Sequence, residues 1–397
     1  MPREYSPRQF LRLVPKALLQ RYFADRGLLI EFDWESLPKR NIEPLYQAWL
    51  GLPEEARDVA EMDFREIHAM ACDGGFRAIT DESRFHEDPN DWDQLIARMA
   101  AMENHHARAC WAFLNRPACW KGAQRFLHAD QIPESRWKRR KNVPQREPMV
   151  DDAAVSQLAQ QLGDLFHRQD GRGRHCKIEV YRRGALEYFF VFAEDYAEAA
   201  VEWAGDTLRR RRRAPTFDVI FVYSRDAGTL DTYLRGGRDR LAQLQTLFAR
   251  SVLGIDSLGD DARDERVYDL DPLLSRTFTF VYDSASGIQD VRITRLRLPL
   301  AGAEKMQLTL DVSPRAAATV IYDLLDEVTK GIPLSRCHVN HARIRVGFAP
   351  GVLPGRAQAK SFDLTFPNGC TLRHDGPDLL IRQMLVASKL EPVAALT

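Results

Sequence analysis

Residues 177–192 read KIEVYRRGALEYFFVF, and this stretch decides the fold of the larger part of the chain. Apolar and polar side chains alternate over residues 177–182, and residues 187–192 are rich in aromatic side chains. Runs of this kind favour β-strands, and a glycine between them, here Gly184, is typical of a tight turn. We therefore predict two antiparallel strands joined in a hairpin.

The chain beyond this hairpin repeats the same arrangement, strand pairs followed by single helices. Further strands are predicted at residues 217–223, 229–234, 277–282, 291–298, 306–312, 342–348, 362–366 and 371–374, and helices at about 152–168, 238–253, 313–329 and 377–389. Asn368-Gly369 between two of these strands is the strongest hairpin signal in the sequence. Regular βαβ alternation is absent, so we predict an α+β fold with mainly antiparallel sheets and helices packed on one face.

The N-terminal part, residues 1–132, has the pattern of helices. Apolar residues recur at helical spacing after Ser6-Pro7 and again over residues 53–70, where Cys72-Asp73-Gly74-Gly75 should end the helix. From Asn90 or Asp91 to Leu114 a stripe of apolar residues with a period near 3.6 predicts one long amphipathic helix. The fold therefore begins with a helical part.

Changes in composition along the chain predict its division into domains. Residues 133–150 contain three prolines and many basic residues without any periodicity, which is typical of a loop or linker. We expect a helical domain at 1–132, a basic linker at 133–150, an α/β lobe at 151–255 and a second α/β lobe at 256–397.

Composition narrows the class of protein. A hydrophobic fraction of 45% with 28% charged residues is ordinary for a globular protein. No window is long and apolar enough for a transmembrane helix, so we expect no membrane partner. The N-terminus is polar and lacks a signal-peptide core, which predicts a cytoplasmic location. The six cysteines are scattered without any CxxC pair, which favours reduced thiols over a disulfide framework.

The formal net charge of the chain is zero. Two basic segments stand out against this neutral background. The first contains an aromatic residue among cations and comprises Arg136, Trp137, Lys138, Arg139, Arg140 and Lys141. The second is an unbroken run of Arg209, Arg210, Arg211, Arg212 and Arg213, which we place at a hairpin edge or loop. Cations neutralise phosphates and an indole stacks on bases, so DNA or RNA is the predicted partner.

A general bias toward arginine weakens this interpretation, and the sequence also contains one weaker candidate site. Arginine outnumbers lysine 46 to 10 in this chain, as a GC-rich genome would produce, so runs of arginine carry less information than usual. Arg235, Gly236, Gly237 and Arg238 stand before a predicted helix and form a weaker candidate, a phosphate cradle.

Evidence for an enzyme is weaker. GxxxxGK[ST], GxGxxG, HExxH and GxSxG are all absent from the sequence. Glu103, His106 and Cys110 share one face of the predicted long helix and are the best metal candidates, yet packing explains His106 and Cys110 better. Cys337 and His341 would share a strand face, which supplies only two ligands.

Three functions therefore stay open. The first is a non-catalytic or regulatory protein that contacts nucleic acid through the two basic segments. The second is a protein–protein interaction or self-associating subunit, since residues 54–93 carry a local net charge of −9 that a basic surface would attract. The third is an enzyme with an unconventional, metal-dependent site. The lack of housekeeping motifs favours an accessory role in a prokaryote.

Overall fold

The structure is a computed structural model and describes residues 4–38, 41–86, 89–133, 136–235, 240–258, 268–299, 307–330, 337–353, 358–367, 369–372 and 376–391. The chain divides into two compact units. The first comprises Met1–Gln131 together with Arg182–Gly184, and the second comprises Ile132–Tyr181 with Ala185–Thr397.

The first unit is helical, as predicted. Its helices are α1 (Pro7–Leu13), α2 (Lys16–Asp25), α3 (Glu43–Leu50), α4 (Glu54–Met70), α5 (Asp73–Ser83), α6 (Pro89–Ala100), α7 (His105–Asn115) and α8 (Pro117–Gln131). Aromatic side chains from three of them meet in the core, where the rings of Phe10 and Phe64 stack at 4.4 Å and Tyr22 lies 5.2 Å from Phe64. Stacked aromatic pairs of this kind bury large apolar areas and hold α1, α2 and α4 together.

One prediction about these helices was wrong, and another, the helix over 53–70 that corresponds to α4, was right but missed the helix that follows. The single long helix expected up to Leu114 is divided into α6 and α7, because Asn104 caps a new helix and its Oδ1 accepts a hydrogen bond of 2.8 Å from the Ala107 amide. Cys72-Asp73 begins α5 and does not simply end α4, since the Cys72 Sγ accepts from the Gly75 amide. In both cases a capping side chain starts a helix where apolar spacing gave no sign of one.

The second unit begins with seven strands and two helices. They are β1 (Trp137–Arg140), α9 (Asp152–Asp170), β2 (Cys176–Arg183), β3 (Leu186–Glu194), β4 (Glu198–Ala204), β5 (Thr207–Arg213), β6 (Thr216–Ser224), β7 (Thr229–Leu234) and α10 (Leu241–Val252). Five of the strands form one sheet in the order β1-β7-β6-β3-β2, and β4 and β5 form a separate two-stranded sheet. The predicted hairpin at 177–192 corresponds to β2 and β3.

Helices α9 and α10 cover one face of this sheet. Phe166 of α9 packs edge-on against Phe217 at 4.9 Å, and Phe248 of α10 packs against Phe189 and Phe221, each at 5.0 Å. These rings are fully or almost fully buried, so their burial is a main source of stability for this layer.

A second sheet follows, again with five strands and two helices. Its elements are β8 (Ile288–Pro299), β9 (Gln307–Asp311), α11 (Val320–Val328), β10 (His341–Phe348), β11 (Ala359–Thr365), β12 (Gly369–Cys370) and α12 (Gly376–Ala387), with the strand order β12-β11-β10-β8-β9. Ile321 of α11 and Ile381 of α12 are buried in one core with strand residues such as Ile344. Every strand pair with a defined register in the described residues is antiparallel, which confirms the α+β class.

Three further predictions failed in this region. Residues 277–282 are not a strand, because Phe278 and Phe280 pack against the second core while the Val281 amide donates to Ser388 Oγ at 2.9 Å. The helix expected from residue 313 begins only at Val320. The third is the strand predicted at 371–374 after an Asn368-Gly369 turn. A short antiparallel pair does form here, since Thr365 pairs with Gly369, but Gly369 lies in β12 and residues 371 and 372 lie in no strand, while Asn368 and residues 373–374 lie outside the described residues.

None of the helices in the described ranges combines the length and the apolar character that crossing a bilayer requires.

Candidate functional site

The first basic segment is largely part of the sheet. Residues 137–140 form β1, an edge strand that pairs with β7, so the interpretation of this stretch as an irregular linker was wrong for these four residues. Trp137 is 8% exposed and its ring lies 5.8 Å from that of Tyr233. The indole that was expected to stack on a base therefore packs within the protein.

Arg139 lies at the centre of a buried ion cluster. Its Nε and Nη2 donate to the two carboxylate oxygens of Asp231 at 2.8 and 3.1 Å, and its Nη1 donates to Glu391 at 3.1 Å. Burial opposes its charge, yet Asp231, Tyr268 and Glu391 raise the pKa of Arg139 well above its ordinary value. Two carboxylates therefore hold this guanidinium inside the protein.

Other cations of the first segment also contact the protein. Lys141 Nζ lies 3.4 Å from Glu391 Oε1, and Arg140 Nη2 donates to the Leu258 carbonyl at 2.8 Å. Lys138 is half-buried on β1 and also has interactions within the protein, whereas Arg136 is exposed. The segment thus acts mainly as structure.

The second basic segment has the opposite environment. Arg209–Arg213 belong to β5, all of whose residues are exposed. Strands β4 and β5 pair over seven residues each and leave the sheet where Glu194 of β3 pairs with Thr216 of β6. At about 3.3 Å per residue this ribbon is about 23 Å long. We call residues 198–213 the ribbon.

A two-residue turn, Gly205-Asp206, closes the ribbon between Ala204 and Thr207. Gly205 has φ +61°, the left-handed conformation that two-residue hairpin turns need at their first central position. This turn fixes the register and thereby decides which side chains share a face.

The register gives the ribbon two different faces. One face carries acids on β4 and arginines on β5, and consists of Glu198, Ala200, Glu202, Ala204, Thr207, Arg209, Arg211 and Arg213. On it, Glu202 forms ion pairs with Arg211 and Arg213. The carboxylates of this face therefore neutralise part of the positive charge of its arginines.

The other face carries no acid and consists of Ala199, Val201, Trp203, Leu208, Arg210 and Arg212. Trp203 is 70% exposed, Val201 61% and Leu208 55%. Among the described residues no side chain forms an ion pair with Arg210 or Arg212, and no ring stacks on Trp203. We call this surface the acid-free face. Exposed apolar groups beside unpaired cations are typical of a binding surface.

The root of the ribbon, where Asp195, Tyr196 and Pro215 join it to the sheet, is held by several contacts. Arg172 donates to Asp195 at 2.9 Å and its guanidinium lies 3.9 Å from the Phe217 ring centroid. The Tyr196 hydroxyl donates to the Asp170 carbonyl at 2.9 Å, and the Asp195 amide donates to the Pro215 carbonyl at 2.7 Å. These contacts fix the direction in which the ribbon leaves the sheet.

Further basic residues surround this root. Arg174 and Lys177 are exposed close to the end of β3, since the Glu194 amide donates to the His175 carbonyl at 2.8 Å. Burial opposes the charge of Asp195, but the hydrogen bond from Arg172 lowers its pKa, and Arg235 adds to this effect. Of the predicted phosphate cradle, Arg235 is exposed near the root, whereas Gly236, Gly237 and Arg238 lie outside the described residues.

The predicted metal residues do not converge. Glu103 is exposed in the turn before α7, while His106 Nε2 lies 3.1 Å from His68 Nδ1. Burial lowers the pKa of His106 to about 4 and raises the pKa of Cys110 to about 12. Cys337 is buried, and His341 lies 3.4 Å from Asp363. Within the described ranges, no three His, Cys, Asp or Glu side chains come together as metal ligands would.

Sequence reasoning missed the strand that completes the ribbon. Residues 198–208, EAAVEWAGDTL, contain Gly205-Asp206 between residues of β-propensity, which is a hairpin signal. Val201 and Trp203 were not predicted as part of the site, because they become neighbours of the arginine run only through cross-strand pairing.

Comparison of the chain with protein-family models, with curated proteins and with solved structures gives no match in any of the three.

Proposed function

We propose that this protein binds nucleic acid, and that the ribbon is the element that makes the contact. The observation that carries the proposal is the acid-free face, where Arg210 and Arg212 lie beside an exposed indole on a two-stranded strand pair. The first basic segment has no major part in this proposal, because Arg139 and Lys141 contact Glu391.

The charge of the ribbon supports a polyanionic ligand. Five guanidinium groups stand against the carboxylates of Glu198, Glu202 and Asp206. A guanidinium presents a planar fork of donors that matches phosphate oxygens, and each neutralised phosphate releases condensed counterions. Arg210 and Arg212 can bind phosphates without first breaking an ion pair.

The shape of the ribbon supports the same ligand. A two-stranded ribbon is narrow enough to enter a nucleic-acid groove or to lie along a single strand. Because Arg172 and Tyr196 fix its root, little conformational freedom is lost at that end on binding. Exposed Arg174, Lys177 and Arg235 extend the positive surface beside the root.

The test is fluorescence anisotropy of labelled DNA and RNA at about 50 and 200 mM salt, with wild type and Arg210→Ala/Arg212→Ala. We expect affinity to fall steeply with salt, and the slope of log affinity against log salt to decrease by about one for each arginine removed. The matched control, Arg12→Ala/Arg315→Ala, removes two exposed arginines outside the ribbon and should bind like wild type.

Two results would overturn the proposal. Wild-type protein that binds neither DNA nor RNA at the lower salt concentration excludes the function. Equal affinities and salt slopes for the ribbon variant and the control variant show that the binding site lies elsewhere in the chain.

A further inference from the structure

We propose that the acid-free face binds single-stranded nucleic acid, with an unpaired base stacked on Trp203 and neighbouring phosphates on Arg210 and Arg212. This inference rests on the proposed function and adds the class of ligand to it.

The environment of Trp203 leaves its ring open to a base. The residue stands beside the Gly205-Asp206 turn, opposite Leu208, and 70% of it is exposed. Every base has a flat π-face, so an indole accepts any unpaired base without sequence preference. Val201 on the same face continues the apolar surface toward the root.

The two arginines stand at a suitable spacing beside this platform. Arg210 and Arg212 lie two residues apart on one strand, so their Cα atoms are about 6.6 Å apart. This distance is comparable to the repeat of an extended sugar–phosphate chain. A strand that runs along β5 can therefore place successive phosphates on Arg210 and Arg212.

The apolar part of the face distinguishes the two forms of nucleic acid. In a duplex the base faces are stacked on each other, and the groove offers polar base edges between charged backbones. Val201, Trp203 and Leu208 would then be covered largely by polar groups. An unpaired strand offers base faces to the apolar side chains and phosphates to the arginines at the same time.

The test compares wild type, Trp203→Ala and Trp203→Phe on a labelled oligothymidylate and on a duplex of the same length. We expect wild type to prefer the single strand and Trp203→Ala to lose about ten-fold in affinity for it, with Trp203→Phe restoring most of the loss. The salt slope should not change, because no charge is removed. Ile30→Ala, at a residue that is 77% exposed in the helical unit, is the control.

The outcomes separate this inference from the proposed function. If Arg210→Ala/Arg212→Ala weakens binding while Trp203→Ala does not, the ribbon binds nucleic acid but the stacking inference is wrong. If wild type prefers the duplex and Trp203→Ala loses affinity for it, the side chain acts as a wedge in double-stranded DNA and the single-strand inference is wrong. If wild type binds neither probe, the proposed function itself fails.

Discussion

The two basic segments of this protein have nearly the same composition and opposite environments. Each contains five cations and has a tryptophan close by, Trp137 within the first segment and Trp203 on β4, where it pairs with Leu208 one residue before the arginine run. Trp137 is 8% exposed and Trp203 is 70% exposed. Arg139 is surrounded by carboxylates, whereas Arg210 and Arg212 face solvent on the acid-free face.

The difference follows from what each strand is paired with. Strand β1 closes the edge of a sheet, and its alternate residues Trp137 and Arg139 are buried there. A buried guanidinium needs carboxylates, and Asp231 on the neighbouring strand β7 supplies one. Among the described strands β5 pairs with β4 alone, and all seven of its residues are exposed. Basic composition therefore leaves cations open to a ligand only where the strand is exposed.

The strongest test of this contrast is to remove Arg139. Arg139→Ala leaves Asp231 and Glu391 buried with less compensation, and we expect a loss of about 3–5 kcal/mol in the free energy of unfolding. Arg212→Ala should leave stability unchanged because its side chain is exposed. Urea denaturation of both variants measures the two effects. Equal midpoints for the two variants would contradict the assignment of Arg139 to structure.

Sequence patterns predicted the elements whose signals are local. The strands at 177–192 are encoded by neighbouring residues, and both formed. The role of Arg139 could not be predicted in this way, because its partners Asp231 and Glu391 lie 92 and 252 positions away. Nothing near Arg139 in the sequence shows that carboxylates will surround it.

The ribbon itself was predicted only in part. The exposed run Arg209–Arg213 was selected from charge alone, and the structure places it on the ribbon. Val201 and Trp203 were missed because they face the arginines only across the Gly205-Asp206 turn. The helix break at Asn104 was missed for a related reason, since apolar spacing continues across the cap. Periodicity thus predicts elements well, while capping and pairing decide which side chains meet.

A second test uses acid to weaken the buried cluster. Burial alone would raise the pKa of Glu391, but Arg139, Lys141 and Arg382 together lower it below its usual 4.5. A lowered pKa means that its stabilising contribution is present above pH 4.5 and is lost as pH falls through the value in the folded protein. Glu391→Gln should therefore destabilise the protein near neutral pH, and its difference from wild type should shrink as the pH falls below 4.5.

Urea denaturation across this range measures the Glu391→Gln effect, and the difference between the two proteins removes the contribution of other carboxylates. Asp170→Asn serves as a comparison for a carboxylate that lies outside the buried cluster. Its pKa is also lowered, by hydrogen bonds from Arg240 and Arg172. A difference between wild type and Glu391→Gln that stays constant from neutral to acid pH would show that Glu391 is not held as a carboxylate by these cations.

The smallest effect concerns the pH dependence of the ribbon. Guanidinium groups stay protonated at all ordinary pH values, so wild-type binding of nucleic acid should show no trend between about pH 5.5 and 8.5. Arg210→His/Arg212→His places groups with an ordinary pKa near 6.5 on the acid-free face. This variant should bind like wild type at the acid end and like Arg210→Ala/Arg212→Ala at the alkaline end, as anisotropy titrations at constant salt can measure. A histidine variant whose affinity does not change with pH would mean that positive charge at these two positions does not contact phosphate, even though both side chains are exposed.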